Sequence, residues 1–145
     1  MTPCPSRAAA ITLACPDRTF EDERQLRNYV ATNLHLIEPG LRPLRTDRRS
    51  IEIPCKMPHC RRVGSMDVVA LDSLERLVVI EVKHGMATPL ALGQLFAYIA
   101  WACRYSEFKG RAIRGMIVAN RANALLRLAL EYFDSFPVTL VLVPE

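Results

Sequence analysis

The fold is decided by residues 63–83, which read VGSMDVVALDSLERLVVIEVK. Two apolar runs within this stretch, Val63–Leu71 and Leu77–Val82, are rich in β-branched residues and predict two strands. Because the short turn between them begins with Asp72-Ser73, the strands are expected to form a hairpin. Three charged residues interrupt this apolar pattern: Asp67 inside the first strand, and Glu81 and Lys83 at the end of the second.

The elements on either side of this hairpin predict a mixed α/β fold. Upstream, a helical spacing predicts one helix from Phe20 to Ile37 with Thr19 as its N-cap, ended by Pro39-Gly40, before a short strand at Ser50–Ile53. Downstream, we expect a helix from Pro89 to Tyr105, a strand at Ile113–Ala119, a helix at Asn123–Phe133 and a strand at Val138–Val143. The residues that we expect on the buried side of the Pro89–Tyr105 helix are Leu92, Leu95, Phe96, Ile99 and Ala100. The order α-β-β-β-α-β-α-β predicts a sheet covered by helices.

Length and composition bound the organisation of the chain. Its 145 residues, 50% of them hydrophobic, fit one domain, which we place at residues 19–145 after a tail or first strand at residues 1–18. No apolar run reaches the roughly 20 residues that span a bilayer, so we expect no membrane contact. The apolar run Ala8–Cys15 is interrupted by Thr12 and is shorter than most signal-peptide cores, so we expect a cytoplasmic protein, with secretion as the alternative. Five irregularly spaced cysteines argue against a disulfide framework. A zinc site at Cys55, His59 and Cys60 is an alternative, although the sequence offers no second matching pair.

A basic segment precedes the hairpin. Seven cationic residues lie between residues 42 and 62, opposed only by Asp47 and Glu52: Arg42, Arg45, Arg48, Arg49, Lys56, Arg61 and Arg62. The whole chain has a net charge of +4. A cluster of this kind can neutralise phosphates and release their counterions, so a polyanionic partner is one interpretation. The other interpretation is a solvated loop.

Asp67, Glu81 and Lys83 are the candidate catalytic residues. Residues 81 and 83 leave the same face of a strand, and a suitable hairpin register would bring Asp67 beside Glu81. Two carboxylates can hold Mg²⁺, which takes phosphate oxygens as further ligands and lowers the pKa of a bound water. A lysine can orient that water and stabilise developing charge. The alternative is a salt bridge at a strand end, which Glu-x-Lys alone would favour.

Other polar residues predicted on helices extend this constellation. Gln94 and Tyr98 lie four residues apart on one helix face and could flank a metal site. Glu23, on the first helix, could add a third acid. Alternatively, each is an ordinary polar or solvated helix residue.

The ordered blocks resemble the PD-(D/E)XK nuclease superfamily, and look closest to the C-terminal catalytic domain of the NucS or EndoMS mismatch endonucleases. The blocks that carry the resemblance are Glu23–Leu26, Ile37–Arg42, Gly64–Asp67, Val79–Lys83, Gln94–Tyr98 and Ile113–Val118. The resemblance covers roughly residues 20–120 and implies a restriction-endonuclease-like core. It implies that Asp67, Glu81 and the backbone carbonyl of Val82 bind Mg²⁺ or Mn²⁺ and that Lys83 is the catalytic lysine. It also implies that Gln94, Tyr98 and Glu23 support the site.

The resemblance further implies a partner. A metal-dependent endonuclease of double-stranded DNA is the leading hypothesis, with Arg42 and other arginines of the basic segment on the DNA backbone. Because cutting both strands needs two active sites, we expect a homodimer. Full-length members of the family carry an N-terminal domain without a counterpart here, so a partner protein could supply targeting. The alternative is a catalytically silent nucleic-acid-binding or assembly module on the same fold.

Overall fold

A computed structural model describes residues 10–13, 18–44, 50–57, 64–105, 107–132 and 137–145. Among these residues the helices and strands, in chain order, are β1 (Ile11–Thr12), α1 (Glu23–Thr32), α2 (Leu34–Ile37), β2 (Arg42–Pro43), β3 (Ile51–Cys55), β4 (Gly64–Leu71), β5 (Leu77–Ala87), α3 (Pro89–Tyr105), β6 (Ile113–Ala122), α4 (Ala124–Tyr132) and β7 (Val138–Leu142). No helix among them is long and apolar enough to cross a membrane.

The strands that the structure describes form one seven-stranded sheet. Its order is β1-β7-β6-β5-β4-β2, and β3 also pairs with β4. The predicted hairpin is confirmed: β4 and β5 are antiparallel, with Leu71 opposite Leu77. Strands β5, β6, β7 and β1 run parallel, so the sheet is mixed. The predicted mixed α/β fold is therefore confirmed, with β1, α2 and β2 as additional short elements.

Helices cover both faces of the sheet because successive residues of its strands point to opposite sides. Helices α1 and α2 pack on the face formed by alternate residues such as Val78 and Ile80. Helices α3 and α4 pack on the other face, against residues such as Leu77 and Val79. Since Glu81 continues this second series, its side chain belongs to the α3 side of the sheet.

The predicted first helix is wrong in two respects. It begins at Glu23 rather than Phe20, and its N-cap is Asp22, whose side chain accepts a hydrogen bond from the Gln25 N–H (2.8 Å). It also divides at Asn33, whose N–H bonds to the Val30 carbonyl (3.2 Å) and whose side-chain amide donates to the Tyr29 carbonyl (2.9 Å). These local hydrogen bonds compete with continuation of the helix.

The predicted helix from Pro89 to Tyr105 is confirmed, but its buried side was predicted too broadly. Leu92, Leu95 and Ile99 are buried as expected, whereas Phe96 is 39% exposed and Ala100 is exposed. A helix that packs on a sheet buries one stripe, and these two residues lie outside that stripe. The outer surface of α3 is therefore partly apolar.

The remaining boundaries differ by small amounts. β3 extends to Cys55, β5 to Ala87 and β6 to Ala122, while Asn123 caps α4 by accepting from the Leu126 N–H (2.9 Å). Val63 and Phe133 lie outside the described residues. Within the segment predicted as a tail or first strand, Ile11–Thr12 pairs with β7, which adds a strand to the edge of the sheet.

The hairpin turn is closed by a buried ion cluster. Asp72, 1% exposed, accepts hydrogen bonds from the Leu74 and Arg76 N–H groups, both at 2.9 Å. It also accepts from the side chains of Arg76 (2.8 Å) and the buried Arg114 (3.1 Å), and Arg114 pairs in turn with Glu38. Burial raises the pKa of Asp72, but the hydrogen bonds from Arg76 and Leu74 and the charge of Arg76 hold it below its ordinary value. The cluster joins β4, β5 and β6 at one end of the sheet.

Candidate active site

The candidate catalytic residues lie towards the opposite end of the β4–β5 hairpin. β4 and β5 pair as far as Val68 and Ile80; Asp67 is the neighbouring residue on β4, and Glu81 is the neighbouring residue on β5. Lys83 follows two residues later on the same face of β5. The structure therefore brings together the three residues that sequence reasoning singled out.

Asp67 is anchored to the strand that carries the other two residues. Its Oδ2 accepts a hydrogen bond from the Val82 N–H over 2.8 Å. Burial and the charge of Glu23 raise the pKa of Asp67, and the bond from Val82 and the charges of Lys83 and Arg27 lower it without cancelling the rise. The Asp67 carboxylate thus has a fixed orientation in a site that penalises its negative charge.

Glu81 is the most deeply buried member of the site. It is 3% exposed, and its Oε1 lies 3.1 Å from Nζ of Lys83. Its Oε2 is buried and has no hydrogen-bond partner among the described residues. Burial, followed by the charge of Asp67, raises the pKa of Glu81 to about 7, although Lys83 opposes the rise. An ion pair at a strand end would satisfy one oxygen of this carboxylate and leave the other without a partner.

Lys83 remains a cation in this setting. Burial lowers its pKa, but the hydrogen bond to Glu81 and the charges of Glu81, Glu23 and Asp67 raise the value above normal. The Lys83 side chain is 25% exposed, so its ammonium group lies between the buried carboxylates and solvent. A positive charge is therefore fixed at the mouth of the site.

Helix α3 contributes the predicted Gln94 and Tyr98. Burial and the charges of Glu81 and Asp67 raise the pKa of Tyr98, so its phenol stays protonated at neutral pH. Gln94 has a buried Oε1 with no hydrogen-bond partner in the described part of the chain. Both side chains are partly buried, and the Tyr98 hydroxyl is a potential hydrogen-bond donor close to two carboxylates.

Gly64, at the start of β4, makes room for Tyr98. Its φ of +143° is rare for residues with side chains, and a Cβ there would lie 2.7 Å from the Tyr98 hydroxyl. A substitution at this position would therefore strain the backbone and displace the ring. The first residue of β4 thus determines where a residue of α3 can sit.

Helix α1 brings the predicted Glu23 and one further residue, Arg27, to the site. The charge of Glu23 raises the pKa of both Asp67 and Glu81, which indicates that it lies nearby. Arg27, one turn later, has a side chain that is 11% exposed and lies 3.1 Å from Oε1 of Glu52. Sequence reasoning missed Arg27, although its i+4 spacing from Glu23 was a usable signal.

A β-bulge follows Lys83. The pairing of β5 with β6 shifts between Lys83 and Met86, and the Gly85 N–H donates to Oδ1 of Asn120 over 2.6 Å. Nε2 of His84 lies 2.7 Å from the Phe20 carbonyl, which ties the chain before α1 to the bulge. The bulge thereby connects the end of β5 to both β6 and the segment that leads to Glu23.

Of the predicted DNA-contacting arginines, the structure describes Arg42. Arg42 pairs with Leu71, four residues along β4 from Asp67, and its guanidinium binds Glu75. The other five lie outside the described residues: Arg45, Arg48, Arg49, Arg61 and Arg62. Of the alternative zinc ligands, Cys55 is buried in β3 with its Sγ 3.9 Å from the Ile53 carbonyl, and His59 and Cys60 lie outside the described residues.

The residues present fit a hard divalent cation. No group of three His, Cys, Asp or Glu side chains in the described ranges is arranged as a metal site. Mg²⁺, however, needs only one or two carboxylates because it keeps several waters. The unpartnered Oε2 of Glu81 beside Asp67 meets that requirement.

A mixed sheet between helices, with two neighbouring strand carboxylates and a nearby lysine, has the architecture of the restriction-endonuclease-like fold class. No family model matches the chain. A curated protein named Endonuclease NucS from Sulfolobus acidocaldarius is 31% identical over 117 residues, covering 77% of this chain and 41% of the relative. Another of that name, from Methanopyrus kandleri, is 30% identical over 114 residues, covering 79% of this chain and 38% of the relative.

Solved structures show the same fold. A repair endonuclease from Pyrococcus abyssi superposes with a TM-score of 0.65 at 24% identity, covering 89% of this chain and 50% of that protein. A complex of EndoMS with double-stranded DNA superposes with a TM-score of 0.63 at 24% identity, covering 88% of this chain and 47% of that protein. This chain belongs to the family of the proteins named Endonuclease NucS. It spans about two fifths of the length of the curated relatives that it matches.

Proposed function

We propose that the chain is a metal-dependent endonuclease that hydrolyses phosphodiester bonds of double-stranded DNA. The observation that carries the proposal is the buried carboxylate of Glu81, near enough to Asp67 for that charge to raise its pKa, with one oxygen unpartnered among the described residues. Leaving such an oxygen unsatisfied is costly, and a bound cation would offset that cost. The similarity to proteins named Endonuclease NucS supports the same reaction.

The proposed metal is Mg²⁺, for which Mn²⁺ would substitute. Asp67 and Glu81 would hold it, with the backbone carbonyl of Val82 as a further ligand. When bound, such an ion supplies a nucleophilic water and neutralises charge on the phosphate. Lys83 pairs with Oε1 of Glu81 and offsets part of the negative charge, and Oε2 of Glu81 is left for the metal.

The other side chains have separate roles in the proposal. Lys83 orients the attacking water and stabilises charge that develops on a phosphate oxygen, because its ammonium lies between the carboxylates and solvent. Protonated Tyr98 donates a hydrogen bond to the substrate, and Gln94 offers an amide whose oxygen has no described partner. Glu23, on α1, adds a third carboxylate to the site.

The proposed substrate and assembly follow from charge and from the reaction. Arg42, Arg45, Arg48, Arg49, Arg61 and Arg62 contact DNA phosphates in this proposal. Cutting both strands requires two active sites, so we propose a homodimer. A partner protein would direct it to particular DNA structures. Since the proposed substrate is DNA, we place the protein in the cytoplasm.

The experiment is cleavage of supercoiled plasmid and of short duplexes with Mg²⁺ or Mn²⁺. Glu81→Gln is the informative variant because it keeps the shape of the side chain and removes its charge. Glu107→Gln, at an exposed acid in the turn after α3, is the matched control. We expect cutting by wild type and control and none by Glu81→Gln. Salt-sensitive DNA binding without cutting by any of them would favour the silent binding module.

A further inference from the structure

A buried arginine that the proposed reaction does not use lies beside the candidate active site. Arg27 is on α1, one turn after Glu23, and only 11% of its side chain is exposed. Its positive charge lowers the pKa of Asp67, which indicates that the guanidinium lies near that carboxylate. Helix α1 is anchored to the sheet by Leu26 and Val30, both fully buried. Arg27 therefore holds a cation at a set position next to the carboxylates.

The guanidinium of Arg27 has hydrogen-bonding capacity that the described residues do not fill. Its Nη1 lies 3.1 Å from Oε1 of Glu52. Its Nε is buried and has no hydrogen-bond partner in the ranges that the structure describes. A guanidinium carries several N–H donors in a planar fork, and leaving a buried donor unsatisfied is unfavourable. Such a cation is suited to a ligand that brings further acceptors.

Glu52 is the more easily replaced member of this ion pair. Its side chain is 57% exposed, so its carboxylate approaches the buried guanidinium from the solvent side. Ion pairs with an exposed carboxylate contribute little to stability, because the carboxylate keeps much of its hydration. An anion that arrives from solvent would reach Arg27 at the position that Glu52 now occupies.

The backbone at Glu52 departs from a regular strand. Its φ is +49°, in the left-handed region that residues with side chains seldom adopt. Ile51 packs with the core on the α1 side of the sheet and Ile53 with the core on the α3 side, although alternate strand residues ordinarily share a face. The β3–β4 pairs that flank Glu52 also flank Asp67 on the neighbouring strand. Backbone irregularity of this kind is concentrated at ligand-binding and switch positions.

The shape and charge of Arg27 select the ligand. A guanidinium fork matches two oxygens of a phosphate, whereas Glu52 contacts it through one oxygen. We propose that Arg27 binds a phosphate of the nucleic-acid backbone beside the candidate metal site, and that Glu52 occupies the position of this phosphate until the substrate displaces it. One anion then replaces another, so the buried cation is compensated in both states. The identity of the ligand rests on the proposed function.

Binding of a short fluorescent DNA duplex to the full chain, with a chelator present to prevent cleavage, tests the inference. Arg27→Gln should weaken binding at least about tenfold, because a charge-assisted contact to phosphate is lost. Arg27→Lys should restore only part of the affinity, since an ammonium lacks the fork. Arg24→Gln removes the same charge from an exposed position on the same helix and is the matched control. Equal affinities of Arg27→Gln and Arg24→Gln would overturn the inference.

Glu52→Ala distinguishes a displaceable carboxylate from an ion pair that serves only the fold. If Glu52 competes with the phosphate, its removal should tighten binding at least about threefold more than Glu107→Ala, which removes the same charge from an exposed turn. This gain should disappear when Arg27→Gln is also present. A lower melting temperature of Glu52→Ala with no gain in affinity over the control would contradict the proposed exchange. Since Glu52 is exposed, this comparison also decides the question if Arg27→Gln does not fold.

Plasmid cleavage with Mg²⁺ separates this inference from the proposed function. If Arg27→Gln loses affinity for the duplex although the wild type never cuts, the proposed nuclease fails and the phosphate contact stands. If the wild type cuts, and Arg27→Gln binds and cuts as Arg24→Gln does, the nuclease stands and the phosphate contact fails.

Discussion

The backbone N–H of Val82 donates to Oδ2 of Asp67 over 2.8 Å, so the acid of one hairpin strand is fixed to the strand that carries Glu81 and Lys83. This bond determines the orientation of Asp67 without using both of its oxygens. It also means that an amide could occupy the same position, because an amide oxygen can accept the same hydrogen bond.

Asp67→Asn should therefore preserve the fold and abolish metal-dependent DNA cleavage. Because burial raises the pKa of Asp67, removing its charge should leave the melting temperature of the metal-free protein unchanged or slightly higher. Mn²⁺ affinity, measured by calorimetry, should fall at least about tenfold, which corresponds to about 1.4 kcal/mol. An unfolded variant would indicate that the charge of Asp67 is structural.

Stability of the metal-free protein should depend on pH through Glu81. Its pKa is 4.5 ordinarily and about 7 in the folded chain, so the folded state binds this proton more tightly than the unfolded state. The resulting stability is present below about pH 4.5 and is lost as the pH rises through about 7. Glu81→Gln should therefore stabilise the metal-free protein by roughly 1–3 kcal/mol at pH 8 and by little at pH 5.

Urea denaturation at pH 5 and pH 8, with a chelator present, measures this difference. Glu75→Gln serves as the control, since that acid is exposed. An equal effect of Glu81→Gln at the two pH values would contradict the raised pKa.

Asp72→Asn should destabilise the fold, in contrast to the changes at the active site. It would leave the buried guanidinium of Arg114 with only Glu38 as an acidic partner, at a cost of about 3 kcal/mol at pH 7. Since the pKa of Asp72 is lowered in the folded state, its contribution is present above the ordinary value of 3.8 and is lost as pH falls. Denaturation curves should show a smaller difference in the free energy of unfolding between wild type and variant at pH 3 than at pH 7.

Gly64→Ala should act through Tyr98. The new Cβ would lie 2.7 Å from the Tyr98 hydroxyl at a backbone φ of +143°, which we expect to cost about 1–3 kcal/mol and to displace the ring. In a Tyr98→Ala background the steric part of this cost should disappear. Thermal denaturation of the two single variants and the double variant gives the coupling free energy between positions 64 and 98. Strictly additive effects would show that the two residues do not depend on one another.

Neutralising Arg48 and Arg49 together should weaken DNA binding by removing phosphate contacts. The slope of log affinity against log salt concentration should fall in magnitude by roughly 1–2, and metal affinity should not change. Lys109→Ala with Arg111→Ala removes the same charge from the exposed segment just before β6 begins, and serves as the control. If the salt slope is unaltered in the first pair, these arginines lie away from DNA.

The elements that the sequence predicted correctly are those with a strong local period. Both hairpin strands, α3 and the buried strand β6 follow from alternating or continuous apolar residues. The division of the first helix at Asn33 was missed because the apolar spacing continues through it while the interruption comes from hydrogen bonds. Burial of Phe96 was predicted because the sequence shows that a residue is apolar, not which elements cover it.

The sequence by itself determined the hairpin and the placement of Asp67, Glu81 and Lys83 on its strands, because strand alternation and turn chemistry act between neighbouring residues. Tertiary structure alone decided which distant residues join them. Tyr98 reaches the site only because Gly64 leaves space beneath it, and Arg27 only because α1 packs near the carboxylates. The pairing of Asp72 with Arg114 likewise joins the hairpin turn to β6, which follows only after α3. These contacts depend on how helices and strands pack against one another, and packing involves the whole chain at once.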